Sequence, residues 1–133
     1  MVVGPGSGVT LTNVHINTAW VVVALNTVAA IWAFTAHRVE AARGRPMWIM
    51  TALAQLSVFV QVVLGVIAMQ TEDVEPSDTH NFYGFLTIIS VGIIYSYRQQ
   101  ILEWQYLLYG FGGLFLAGLG MRAIFLTNAV TAG

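Results

Sequence analysis

Four long apolar runs, at roughly residues 14–36, 47–69, 79–97 and 104–126, leave this chain little choice of solvent. Each is near the ~20 residues that a helix needs to cross the hydrocarbon of a bilayer. Between them lie only short breaks, and charged residues make up 8% of the 133-residue chain. A soluble domain carries roughly 25%, and a small domain leaves much of its surface exposed. Too few charges are present to cover such a surface with water-compatible groups. The expected fold is all-α and integral to the membrane, with the lipid bilayer as its main partner.

The breaks are physically marked. "HRVEAARGRP" (37–46) is charged and ends in Pro46, which suits the first turn of a helix. "QTEDVEPSD" (70–78) is acidic, and Ser77 or Asp78 can cap the third helix. "RQQILEWQ" (98–105) is the weakest break. Short connections make neighbouring helices antiparallel. The sequence thus predicts one domain over 1–133, an up-down bundle of four transmembrane helices, with a short disordered tail at 1–11.

Arginine placement gives an orientation. Arg38, Arg43 and Arg45 fall in the first break and Arg98 in the third, so four of five basic residues share one side. The positive-inside rule makes that side cytoplasmic. Both termini, the 70–78 loop, His15 and His80 then face outward, and the expected location is a prokaryotic plasma membrane. Trp48, Tyr95, Tyr97, Trp104 and Tyr106 fall at the inner boundary, where interfacial rings are favoured.

Several function classes drop out. The net charge of −1 gives no general field for nucleic acid. With no cysteine there are no disulfides, thiolate metal sites or iron–sulfur clusters. The start "MVVGPGSGVT" lacks a basic segment followed by an apolar core, so no cleavable signal peptide is expected. No broken helix, internal repeat or buried acidic relay points to a transporter. On the fourth helix Gly110, Gly113, Ala117 and Gly120 recur at spacings of three and four. That face lets another backbone approach, whether in this chain, in a homo-oligomer or in a larger membrane complex. Asn17, Asn26, Gln55 and Gln61 form a polar stripe that serves as glue between helices or lines a site.

The chemistry-bearing candidates are two histidines. His15, in "TNVHINTA", and His80, in "THNFYGF", each open an apolar helix, and in this topology both lie near the outer face. Four residues on, on the same helix face, stand Ala19 and Gly84. A small neighbour leaves room for a flat macrocycle, as bis-histidine haem ligation requires. Two interfacial histidines hydrogen-bonded to water or Asp78 remain the alternative. His37, beside Arg38, reads as a solvated loop residue at the opposite side. Arg122, in "GLGMRAIFL", is the one basic residue within a span. It either meets haem propionates at the depth of His15 and His80 or snorkels to the surface.

The order of these features resembles the haem A synthases. In that family a helix opening with histidine precedes a Q-x-x-L-G helix, an outer loop and a second helix opening with a ligand histidine. Here His15 is followed by Gln61–Leu64–Gly65 in "VQVVLGV" and by His80 after the acidic loop, over residues 13–90. The resemblance implies that His15 and His80 are axial haem ligands in a fold like part of one half of that family's two-bundle structure. The chain departs from the pattern in having Ile16 after His15, four spans instead of eight, and no cysteine. Cytochrome b561-like bundles are a looser parallel. The expected function is therefore a small b-type haem protein, cytochrome b-like, with haem b on His15 and His80. It would serve electron transfer or haem handling, without independent catalysis. The alternative is an accessory subunit or assembly factor with no cofactor.

Overall fold

A computed structural model describes residues 10–72 and 75–132, with side chains of the last helix described as far as Leu126. The described residues are almost all helical, with no strand among them. Helix α1 covers Leu11–Arg38, α2 Arg45–Thr71, α3 Asp78–Tyr97 and α4 Gln105–Ala132. Short 3-10 turns at Glu40–Ala42 and Leu102–Trp104 lie in the first and third connections.

The helix ends follow from capping, and they extend the sequence-predicted bounds. Thr10 accepts a hydrogen bond from the Asn13 N–H at 3.1 Å, so α1 begins at Leu11, not near 14. The expected tail at 1–11 is thus helical at its last residue, while residues 1–9 lie outside the described residues. Gly44 turns the chain into α2 with φ of +132°, a conformation open to glycine, and Pro46 occupies the first turn. Ser77 caps α3, its hydroxyl accepting from the His80 N–H at 3.1 Å.

Three helical segments, Leu11–Arg38, Arg45–Thr71 and Leu102–Leu126, are long and apolar enough to cross a membrane. The third predicted span is the exception. Helix α3 has 20 residues, but Asp78, Thr79, His80 and Asn81 occupy its first turn and Tyr95, Ser96 and Tyr97 its last. The apolar stretch between them, 82–94, rises only about 20 Å at 1.5 Å per residue.

Neighbouring helices run antiparallel. The start of α1 meets the end of α2, where Glu72 accepts from the backbone N–H of Leu11 and Thr12 and from the Thr12 hydroxyl. Along α1 and α4, a Cβ on Gly110 would strike Phe34, one on Gly113 would strike Ala30, and one on Gly120 would press on Val23. The small-residue face of α4 therefore receives α1 of the same chain, and Ala117 is buried there with Val23 and Ile124. A second chain could use that face only by displacing α1. Gly112 faces α3 in the same way, against Ile94. Helix α3 packs chiefly on α4 and touches α2 little.

Buried polar groups are few and satisfied. Asn26, fully buried, donates to Val22 O at 2.9 Å and across to Ala54 O on α2 at 3.2 Å. Thr51, Thr87 and Ser90 turn their hydroxyls back onto carbonyls of the preceding turn. Among the described residues no buried side-chain nitrogen or oxygen lacks a partner. Large apolar side chains such as Leu53, Leu56, Phe59 and Val63 on α2 are exposed. That distribution suits a lipid surround, where the outer face has no need of charge.

Candidate histidine site between the helices

His15 and His80 come together. Their ring centroids are 6.0 Å apart with an interplanar angle of 77°. The helices that carry them, α1 and α3, share few direct contacts, so the pair forms across the interior.

Each ring is held by a backbone carbonyl on a different helix. His15 Nδ1 lies 3.0 Å from Gln61 O on α2. His80 Nδ1 lies 3.2 Å from Ala123 O on α4. A carbonyl oxygen can only accept, so in both rings Nδ1 carries the proton and donates. That tautomer puts the lone pair on Nε2. It is the arrangement by which metal-binding imidazoles are oriented through their second nitrogen.

The amides nearest the two histidines in the sequence, Asn17 and Asn81, would be the natural side chains to orient the rings. The structure supplies main-chain carbonyls instead, and Asn17 and Asn81 are exposed. Every residue offers a carbonyl, so no side-chain pattern could have marked these two.

Gln61 grips His15 twice. Its own carbonyl takes the ring N–H, and its side-chain amide donates to His15 O at 2.5 Å. The Gln61 side-chain oxygen in turn accepts from the Thr18 hydroxyl at 2.5 Å. One turn on, Gly65 leaves the space the ring fills, since a Cβ there would come within 2.8 Å of His15 Cε1. The glutamine and glycine of the Q-x-x-L-G run thus both serve the histidine. Of the remaining polar stripe, Asn26 joins α1 to α2 and Gln55 is half-buried.

A cavity of about 80 Å³ adjoins the pair. Both histidines line it, with Ala19, Gly84, Gly120 and Thr87 among the other walls. Both small residues singled out from sequence therefore reach the site. Gly84 is notable because a Cβ on it would meet nothing within 4 Å. Arg122 precedes Ala123, whose carbonyl accepts from His80, by one residue, yet its side chain is exposed and does not line the cavity. No group of three or more His, Cys, Asp or Glu side chains placed to hold a metal ion occurs among the described residues.

His37 is not a loop residue. It lies in the last turn of α1, half-buried, with its ring stacked on Trp104 at a centroid distance of 6.1 Å. It belongs to the opposite end of the molecule from the histidine pair.

Among the described residues outside the apolar segments, Glu72 has a displaced titration. The Thr12 hydroxyl, then the Thr12 and Leu11 N–H groups, hold its carboxyl below the usual carboxylate range. The carboxylate also complements the positive end of α1.

No protein-family model, curated protein or solved structure matches this chain.

Proposed function

We propose that the chain is a small membrane b-type haem protein, with His15 and His80 as its axial ligands. The observation that carries this reading is the facing pair of imidazoles, each fixed through Nδ1 by a carbonyl of another helix. Two imidazoles on one metal have ring centres roughly 6 Å apart, from two bonds of about 2 Å and two ring radii of about 1 Å. The observed separation is 6.0 Å. That separation supports one metal ion shared by the two rings. The space beside the rings, about 80 Å³, is too small for a macrocycle. Seating one requires the helices around the pair to part.

In this reading Gln61 and Ala123 orient the ligand rings, while Gly65, Ala19 and Gly84 keep side chains out of the slot. A haem ligated by imidazole on both faces supplies one-electron transfer and leaves no open position for oxygen activation. Arg122, exposed one residue before Ala123, would be the residue to pair with the group's anionic substituents. The four helices then form an up-down transmembrane bundle with both termini and the 70–78 loop outside, as the arginines of the first and third connections support. One haem near one face needs an electron partner, as in a respiratory complex.

The test is the reduced-minus-oxidised visible spectrum of protein purified in mild detergent after expression with ample haem. Sharp low-spin b-type bands at near one haem per chain are expected. A flat spectrum would overturn the assignment. It would favour the second reading, a cofactor-free accessory subunit or assembly factor of a larger complex, to which the small cavity volume and exposed apolar helix faces also lend support.

A further inference from the structure

At the arginine-rich end of the molecule, α3, the 3-10 turn Leu102–Trp104 and α4 leave a groove of about 450 Å³ between them. We infer that this groove binds one acyl chain of an anionic glycerophospholipid, whose phosphate lies against the arginines at its mouth. The inference rests on the chain spanning a bilayer and is independent of the haem reading.

The lining excludes a polar occupant. The wall is almost wholly apolar, with Ile94, Trp104, Leu108, Phe111 and Phe115 among its side chains. The hydroxyl-bearing member, Ser90, donates to Leu86 O at 2.8 Å, so its proton is already used. The dimensions suit a single chain in one leaflet. From Trp104 to Phe115 the wall rises about 17 Å along α4 at 1.5 Å per residue. One leaflet contributes about half of a hydrocarbon core roughly 30 Å thick.

Charge at the mouth selects the headgroup. Trp104 stacks on His37, whose carbonyl accepts from Arg43 Nη2 at 3.1 Å. The Arg43 guanidinium is fixed there by a second bond, to Ala36 O at 2.6 Å, and lies 4.8 Å from the Tyr106 ring centre. Arg98 lies over Tyr95 at 3.7 Å and uses one donor on Tyr95 O at 3.0 Å. With Arg38 and Arg45 this end holds four guanidinium groups against the carboxylates of Glu40 and Glu103, all of these side chains outside the core. A guanidinium retains several N–H donors in a planar fork that matches phosphate oxygens. A zwitterionic lipid would leave the excess positive charge uncompensated.

The experiment is native mass spectrometry of the full chain released from nanodiscs of equimolar phosphatidylglycerol and phosphatidylcholine with identical chains. One retained phosphatidylglycerol per chain is expected. Ile93→Trp, at an exposed position lining the groove, should abolish retention of either lipid. Should that variant fail to give the native helical spectrum, Phe115→Trp makes the same test from α4. Arg98→Gln should leave one lipid bound and lower the preference for phosphatidylglycerol by about fivefold. Equal retention of both lipids by the native chain, unchanged retention by the folded filling variant, or a lipid-free dimer would overturn the inference.

Discussion

The imidazole of His15 occupies the place where a side chain on Gly65 would stand, with 2.8 Å between an added Cβ and ring atom Cε1. The contact crosses from α1 to α2, and the Gln61 carbonyl one turn earlier accepts the ring's Nδ1–H. Position and tautomer of this histidine are therefore decided by a helix other than its own.

Gly65→Ala should displace that ring. Overpacking of a tight contact costs typically about 1–3 kcal/mol, and a lower melting temperature in detergent is expected. In the haem reading, haem content per chain falls with it. An unchanged melting temperature would mean that the ring yields without cost.

Gly84→Ala gives the contrasting case. An added Cβ meets nothing within 4 Å, so folding should be unimpaired, and helix propensity favours alanine by up to about 1 kcal/mol. If the open space by Gly84 is where a macrocycle edge enters, this variant loses haem while its melting temperature holds or rises. Full haem content in the variant would place the macrocycle elsewhere.

In the haem reading, His80→Ala and His15→Ala should each abolish the low-spin spectrum, because one remaining imidazole would leave the metal half-ligated. The same loss is not expected of His37→Ala, whose ring lies on Trp104 at the other end. A low-spin spectrum retained unchanged by either of the first two variants would refute the ligand assignment.

Glu72 makes the start of α1 sensitive to acid. Its carboxyl titrates below the ordinary range in the folded chain because Thr12 and Leu11 hydrogen-bond to the charged form. The stabilisation is complete above the ordinary carboxylate range and is lost as pH falls through the lower folded value. Corrected for the intrinsic pH dependence of exchange, the amides of Leu11 and Thr12 should lose protection on acidification. Glu72→Gln should reduce their protection at neutral pH and remove most of the pH dependence.

Gly113→Val should part α1 from α4. A Cβ at this position comes within 2.9 Å of Ala30 Cβ and 3.1 Å of Asn26 O, the latter a backbone atom that cannot rotate away. A stability loss of about 1–3 kcal/mol or more is expected from thermal unfolding in detergent. Gly118→Val, at a position with open space around it, is the control.

Much of this architecture was legible in the residues because its causes are local. Apolar runs, Pro46 in a first turn and Ser77 at a helix start act within one or two turns of chain, so α1, α2, α3 and α4 are found close to where they were expected. The histidines could be paired from sequence because each opens a helix and alternating helix directions put both helix starts at one end. Helix α3 is the boundary case, since its polar first and last turns shorten its apolar stretch without breaking the helix.

What remained for the tertiary structure was the choice of partners. A carbonyl is present at every residue, so composition could not reveal that Gln61 and Ala123 would hold the two rings. Glu72 read as one acid in an acidic loop, and packing alone placed it at the start of α1, about sixty residues earlier in the chain. The glycines of α4 announced that a backbone would come close, but which backbone depended on how four helices share one interior. Local pattern sets where helices form; the identity of the atoms that meet across them is settled by packing.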